Sequence, residues 1–236
     1  MHPPYRRTPA VSEEAVPFVA ALGSTERSGA AVLAEMTRVI LAGDAPPGMR
    51  IPQEEVAAVL GVSIVPVRES LKTLVGQGLV EHELRGGYTV ARLTDAELQE
   101  LYLVRGVLER AALEHAVARA RPVDVECARR SHDALTAAMA DGDDRAYHRD
   151  SRRFHLALVA PSGMARLQAM LESAWNLTEP YRPMSRLPRS EWDALHAEHD
   201  EMLRAFVDGD AAELVACAER HHSHLQQAVV GVAEAQ

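Results

Sequence analysis

Between Gln53 and Gly76 the sequence sets two short apolar-striped segments end to end, with only Gly61-Val62-Ser63 between them. Val56, Val59 and Leu60 mark the first stripe, and Val67, Leu71, Leu74 and Val75 the second, each at helical spacing. Gly61 stops the first helix, Ser63 offers a cap to the second, and Pro66 suits its first turn. A helix, a three-residue turn and another helix is the spacing of a helix-turn-helix. A third helix precedes them, with Val32, Leu33, Met36, Val39 and Ile40 on one face, Ser28 as its cap and Gly43 at its end. Pro46-Pro47-Gly48 then turns the chain. Downstream, the extended runs LVEHEL and YTVARL flank Arg85-Gly86-Gly87, a hairpin signal. Three helices and a hairpin predict a winged helix-turn-helix over residues 27–92.

From Thr94 onward only helical patterns follow, at about 94–120, 123–141, 143–160, 163–178, 189–208 and 210–232. Asp141-Gly142-Asp143, Pro161-Ser162-Gly163, the Pro180–Pro188 stretch and Asp208-Gly209-Asp210 break them. The expected fold is mainly α: a flexible tail over 1–26, the winged helix, and an all-α bundle of six or seven helices over 93–236.

The net charge of −9 is unevenly spread. Residues 27–92 carry seven basic and seven acidic side chains, whereas residues 93–236 carry sixteen and twenty-four. A neutral winged helix can still present a positive face to DNA, which is what attraction to phosphate requires. Cys127 and Cys217 form no CxxC pair, so neither a disulfide framework nor a thiolate metal site is indicated. The start, MHPPYRRTPAVSEEAVPF, lacks the apolar run of a signal peptide, and no stretch is long and apolar enough to span a membrane. A cytoplasmic protein is expected.

The segment PPGMRIPQEEVAAVLGVSIVPVRESLKTLVGQGLVEHELRGGYTV resembles the DNA-binding domain of the GntR family of bacterial regulators. The resemblance rests on Pro47-Gly48, Leu60-Gly61-Val62-Ser63, Pro66-Val67-Arg68-Glu69, Leu71, Leu74, Gly78-Leu79-Val80 and Gly86-Gly87. The second half is similar to the all-helical FCD sensor domain of the FadR-type branch, through Arg105, Leu108-Glu109, Phe154-His155, His199, Asp210 and His221. The resemblance implies a homodimer on a palindromic double-stranded DNA operator, with recognition helices in major grooves and wings at minor grooves. DNA contacts then fall on Ser63, Arg68, Lys72, His82, Arg85, Gly86 and Gly87. Arg68 is the foremost, because its forked guanidinium serves phosphate or guanine; the alternative is a solvated surface arginine. Two positions depart from the family pattern. Ile64 stands where an arginine usually follows the Ser of Gly-Val-Ser, and Glu54 where a second DNA-contacting arginine is common. Loss of a bidentate base contact costs about 1–3 kcal/mol of discrimination, so an unusual operator or weaker DNA binding is expected.

His155, His199 and His221 each lie on an apolar stripe of a different helix. A lone buried histidine is usually a hydrogen-bonded core residue, but three converging imidazoles need compensating partners. His222 and His224 fall off the stripe and read as surface residues. In the resembling family the three positions bind a divalent metal such as zinc, with nickel or manganese as alternatives, and an aspartate lies four residues before the first histidine. Here that position is Ser151, and Asp150 lies about 100° further round the helix. Ser151, Asp150 or water is left for the fourth place, and the missing anionic ligand leaves more positive charge for an anionic effector. The resemblance implies a small carboxylate effector at the metal, held also by Arg105; the alternative for Arg105 is an ion pair with Glu109, one turn on. Two other functions fit the residues. A metal-dependent hydrolase could use the three histidines, although no general base or nucleophile motif stands near them. A degenerate helix-turn-helix, motivated by Ile64 and Glu54, would act only through protein–protein contacts.

Overall fold

In a computed structural model of the chain, residues 16–23, 26–84, 86–181 and 188–233 are described. The chain divides into two compact units, Met1–Arg92 and Leu93–Gln236. The first holds α1 (Val16–Ala20), α2 (Gly29–Leu41), α3 (Gln53–Leu60), α4 (Ile64–Gly76) and the strands β1 (Val80–Glu83) and β2 (Gly87–Val90). The second holds α5 (Asp95–Ala116), α6 (Pro122–Asp141), α7 (Asp144–Val159), α8 (Ala165–Thr178), α9 (Arg189–Asp208) and α10 (Ala211–Ala233). This is the winged helix-turn-helix followed by a helical bundle that the residue pattern predicts.

In the first unit local chemistry sets the boundaries. Ser28 caps α2, its hydroxyl accepting from the Ala31 amide at 3.2 Å. Gly61 closes α3 with a φ of 65°, a left-handed conformation that a residue with a Cβ adopts only under strain. Ser63 occupies the N-cap position of α4, but its side chain makes no capping hydrogen bond. Val32, Met36, Val39, Ile40, Val56, Val67, Leu71 and Leu74 form the buried core. Val59 and Val75, expected in that core, are 51% and 37% exposed. Each sits at the rim of its stripe, and Ala57 rather than Val59 completes the buried face of α3. Residues 16–20, placed by the sequence within a flexible tail, are helical in α1, and Phe18 is fully buried. The strands pair antiparallel with His82 opposite Tyr88 and Glu83 opposite Gly87.

In the second unit a reciprocal capping box of Thr94 and Glu97 opens α5, and Gly142 and Gly209 end α6 and α9 in left-handed conformations. Helix α5 packs on α7, α8 and α10, while α6 packs on α7 and α9, and α9 on α10. Phe154, Leu158, Leu171, Trp175, Met202, Phe206 and Leu214 fill the main core. A smaller cluster of Leu135, Tyr147, Trp192 and Leu195 lies beside it. Among the described residues no helix is long and apolar enough to cross a membrane.

Candidate functional site

The bundle interior draws three imidazoles together. His155 comes from α7, His199 from α9 and His221 from α10, and all are at most 3% exposed. One ligating atom from each lies within 4.8 Å of the others. The Nε2 atoms of His155 and His199 are 3.2 Å apart. Each ring is also engaged at its other nitrogen. His155 Nδ1 donates to Glu109 Oε1 at 2.6 Å, His221 Nδ1 donates to Glu198 Oε2 at 2.9 Å, and His199 Nδ1 lies 3.5 Å from the Tyr147 hydroxyl. A ring that donates from Nδ1 presents a lone pair at Nε2, and carboxylate-backed histidines of this kind are the usual second layer of a metal site.

Charge favours the same arrangement. Burial pushes the imidazole pKa of His199 well below its ordinary value, and the neighbouring imidazoles of His221 and His155 add to the shift. Burial likewise brings His221 down to about 4, against the opposing pull of its bond to Glu198. Both rings are therefore neutral near pH 7, as ligands must be. Glu109, fully buried, would be raised by desolvation, but His155 and His222 hold it well below the usual carboxylate range. His222 donates to Glu109 Oε2 at 2.5 Å, and His224 bonds both Glu198 and Glu191. These two residues, read from sequence as a plain surface pair, thus belong to the polar layer behind the histidines. Their offset from the apolar stripe is what brings them to carboxylates.

Around the three histidines lies a small cavity, lined also by Tyr102, Arg105, Ser151, Trp175 and Glu179. Arg105 is 3% exposed and does not pair with Glu109, the alternative open at the sequence level. Its guanidinium instead stacks 3.8 Å from the Trp175 ring centroid and donates to Thr178 Oγ1 at 2.9 Å. Its Nε has no hydrogen-bond partner although it is buried, which leaves a donor for a bound anion. Ser151 lies on the cavity wall with its Oγ 3.4 Å from His199 Nε2. Asp150 lies off the cavity: its carboxylate is held by Arg149 at 2.7 Å and Arg153 at 3.0 Å, so it is committed to α7's own arginines and unavailable as a fourth ligand. Three converging imidazoles, two backed by carboxylates and one by a tyrosine hydroxyl, suit a zinc-like divalent ion.

On the winged helix, Arg68 is exposed on α4, its Nε donating to Gln53 Oε1 at 3.0 Å. Lys72, also exposed, pairs with Glu69 at 2.8 Å. His82 stacks on Tyr88 with ring centroids 4.3 Å apart. Gly87 takes a φ of 84°, which the turn of the wing requires of a glycine, and a Cβ at Gly86 would meet the Glu83 carboxylate. Arg85 lies outside the described residues. Arg50, not singled out by the sequence, bridges to Thr89, and its guanidinium lies beside Gly87 at the wing. Nothing local in Met49-Arg50-Ile51 marks it, because strand pairing across 39 residues puts it there.

A winged helix with an exposed arginine on its second motif helix, followed by a helical bundle enclosing histidines, defines a two-part regulator. The comparisons make that specific. The description "Bacterial regulatory proteins, gntR family" matches residues 29–90, and "FCD domain" matches residues 100–224. The chain belongs to the GntR family of bacterial transcription regulators and carries an FCD domain. It is 34% identical, over 78% of its length and 80% of the relative's, to a probable D-xylose utilization operon transcriptional repressor of Paenarthrobacter nicotinovorans. It is 29% identical to the uncharacterized HTH-type transcriptional regulator YdhC of Bacillus subtilis, over 58% of this chain and 62% of that one. The solved structure of McbR/YncC of E. coli superposes with a TM-score of 0.75 at 25% identity, covering 83% of this chain and 93% of that one. The fold and the relatives are those of regulators, not of enzymes.

Proposed function

We propose that the protein is a ligand-responsive regulator that binds a two-fold-symmetric DNA operator as a homodimer and senses a small carboxylate at a divalent-metal site in its helical unit. The observation that carries this reading is the convergence of three carboxylate- or hydroxyl-backed imidazoles and the Arg105 guanidinium on one cavity.

His155, His199 and His221 would hold the ion, zinc in the first instance and nickel or manganese as alternatives, with Ser151 or water beside it. When bound, the ion supplies a fixed positive charge toward a carboxylate oxygen. The chain's own residues do the rest. Glu109 and Glu198 fix the ring orientations, Arg105 offers an unfilled donor to the anion, and Trp175 and Leu195 exclude water from it. On the DNA side Arg68 is the candidate for base or phosphate contact, with Lys72, Ser63, His82, Gly86, Gly87 and Arg85 positioning the backbone. Arg50 joins them at the wing. Ligand binding changes DNA affinity to the extent that it prefers one packing of the sensor helices over another.

Fluorescence anisotropy on the promoter fragment upstream of the protein's own gene tests the reading. Binding weakens steeply with salt, and candidate carboxylic acids shift it in wild type. His199→Ala retains DNA binding and loses the shift. An unaltered acid response in that variant removes the metal from the scheme.

A further inference from the structure

A second group of ligating side chains lies outside this cavity. His132 comes from α6, and His196 and Asp200 stand one turn apart on α9, so both project from the same face of that helix. One ligating atom of each lies within 4.8 Å of the others. The rings of His132 and His196 stack, 5.6 Å between centroids and 19° between planes.

The hydrogen bonding here is incomplete. His132 is 7% exposed, yet its Nε2 has no hydrogen-bond partner, and neither has the buried Nδ1 of His196. His132 Nε2 lies 3.0 Å from Asp200 Oδ1, within ion-pair reach, but the ring N–H is not directed at that oxygen. Two atoms at that distance without hydrogen-bond alignment are near the separation of neighbouring ligands on one ion, because bonds of about 2.0–2.2 Å put such ligands about 2.8–3.6 Å apart between octahedral and tetrahedral angles. Burial is graded across the group: His132 is buried, His196 half-buried and Asp200 exposed. An ion could therefore arrive from solvent past Asp200 without unfolding the bundle.

We propose that His132, His196 and Asp200 form a second, solvent-reachable site for a divalent transition-metal ion, clamping α6 to α9. Two imidazoles and one carboxylate select zinc, cobalt, nickel or copper over magnesium or calcium. The site borders the inner cavity. Tyr147 contacts the His196 ring at 5.9 Å and reaches His199, while Phe154 lies edge-on to both His132 and His199. An ion at the outer site stiffens the wall against which the inner histidines pack. This inference does not depend on the inner site being occupied.

The test is Co(II) titration of the full chain after chelator treatment and dialysis, followed by visible absorption and by the metal-to-protein ratio. Asp200→Asn and His196→Gln each bind one ion fewer than wild type, with unchanged helical circular dichroism. His155→Ala loses a different ion and keeps the one that Asp200→Asn removes. If Asp200→Asn and His196→Gln both bind as many cobalt ions as wild type, the second site does not exist, whatever happens at the inner one. If His155→Ala alone matches wild type, the inner-site reading fails and this one stands.

Discussion

Of the eleven polar or charged side chains buried among the described residues, ten lie in the helical unit and only Ser70 lies in the winged helix. The winged helix buries an almost purely apolar core and displays its chemistry on the outside, with Arg68, Lys72 and His82 all exposed. The helical unit does the reverse. It buries Arg105, Glu109, Asp150, His155, Glu179, His199 and His221, each of which opposes folding unless a partner compensates it. A surface that meets a long charged polymer needs cations in water, whereas charges inside a cavity are held dry and fixed by their partners. The two units therefore differ in what a substitution can disturb.

That difference has measurable consequences. The largest is at Glu109, which joins His155 and His222 from inside the core. Glu109→Ala lowers the unfolding free energy of the helical unit by about 3–5 kcal/mol, the range for breaking a buried ionic network. Urea unfolding of the full chain resolves this as earlier loss of the bundle, and a change below about 1 kcal/mol would show that the buried polar layer contributes little to stability. Next is Arg68→Ala, which weakens operator binding roughly ten- to a hundred-fold without moving the unfolding midpoint. A shift in stability of the same size would erase the contrast, since Arg68 would then be part of the fold and not of its outer face. The smallest is Ser28→Ala, which removes the α2 cap and lowers stability of the winged helix by about 1 kcal/mol. Metal content and acid response stay as in wild type.

The winged helix was nearly all legible because its signals are local. Ser28, Gly61, Pro66 and the Gly86-Gly87 pair act within a few residues of themselves, and the helices follow. Errors came at stripe rims, where Val59 and Val75 satisfy the periodicity but face water. In the helical unit the helices and the three converging histidines were also legible, the latter as polar residues on apolar stripes. Their partners were not. Glu109 meets His155 from 46 residues away and Glu198 meets His221 from 23 away, and a periodic pattern carries no information on which polar side chain closes against which. The same reason hid the approach of His132 to Asp200 across the α6–α9 pair.

Arg105 and Glu109 stand one turn apart on α5, one facing the cavity and the other gripping α7 and α10 through their histidines. That helix starts at the Thr94 capping box, where the chain leaves the winged helix, and Arg105 is about 15 Å further along its axis. One helix thus carries both the guanidinium that lines the cavity and the carboxylate that braces two histidines. A shift of α5 along its axis therefore cannot move one of these groups without the other.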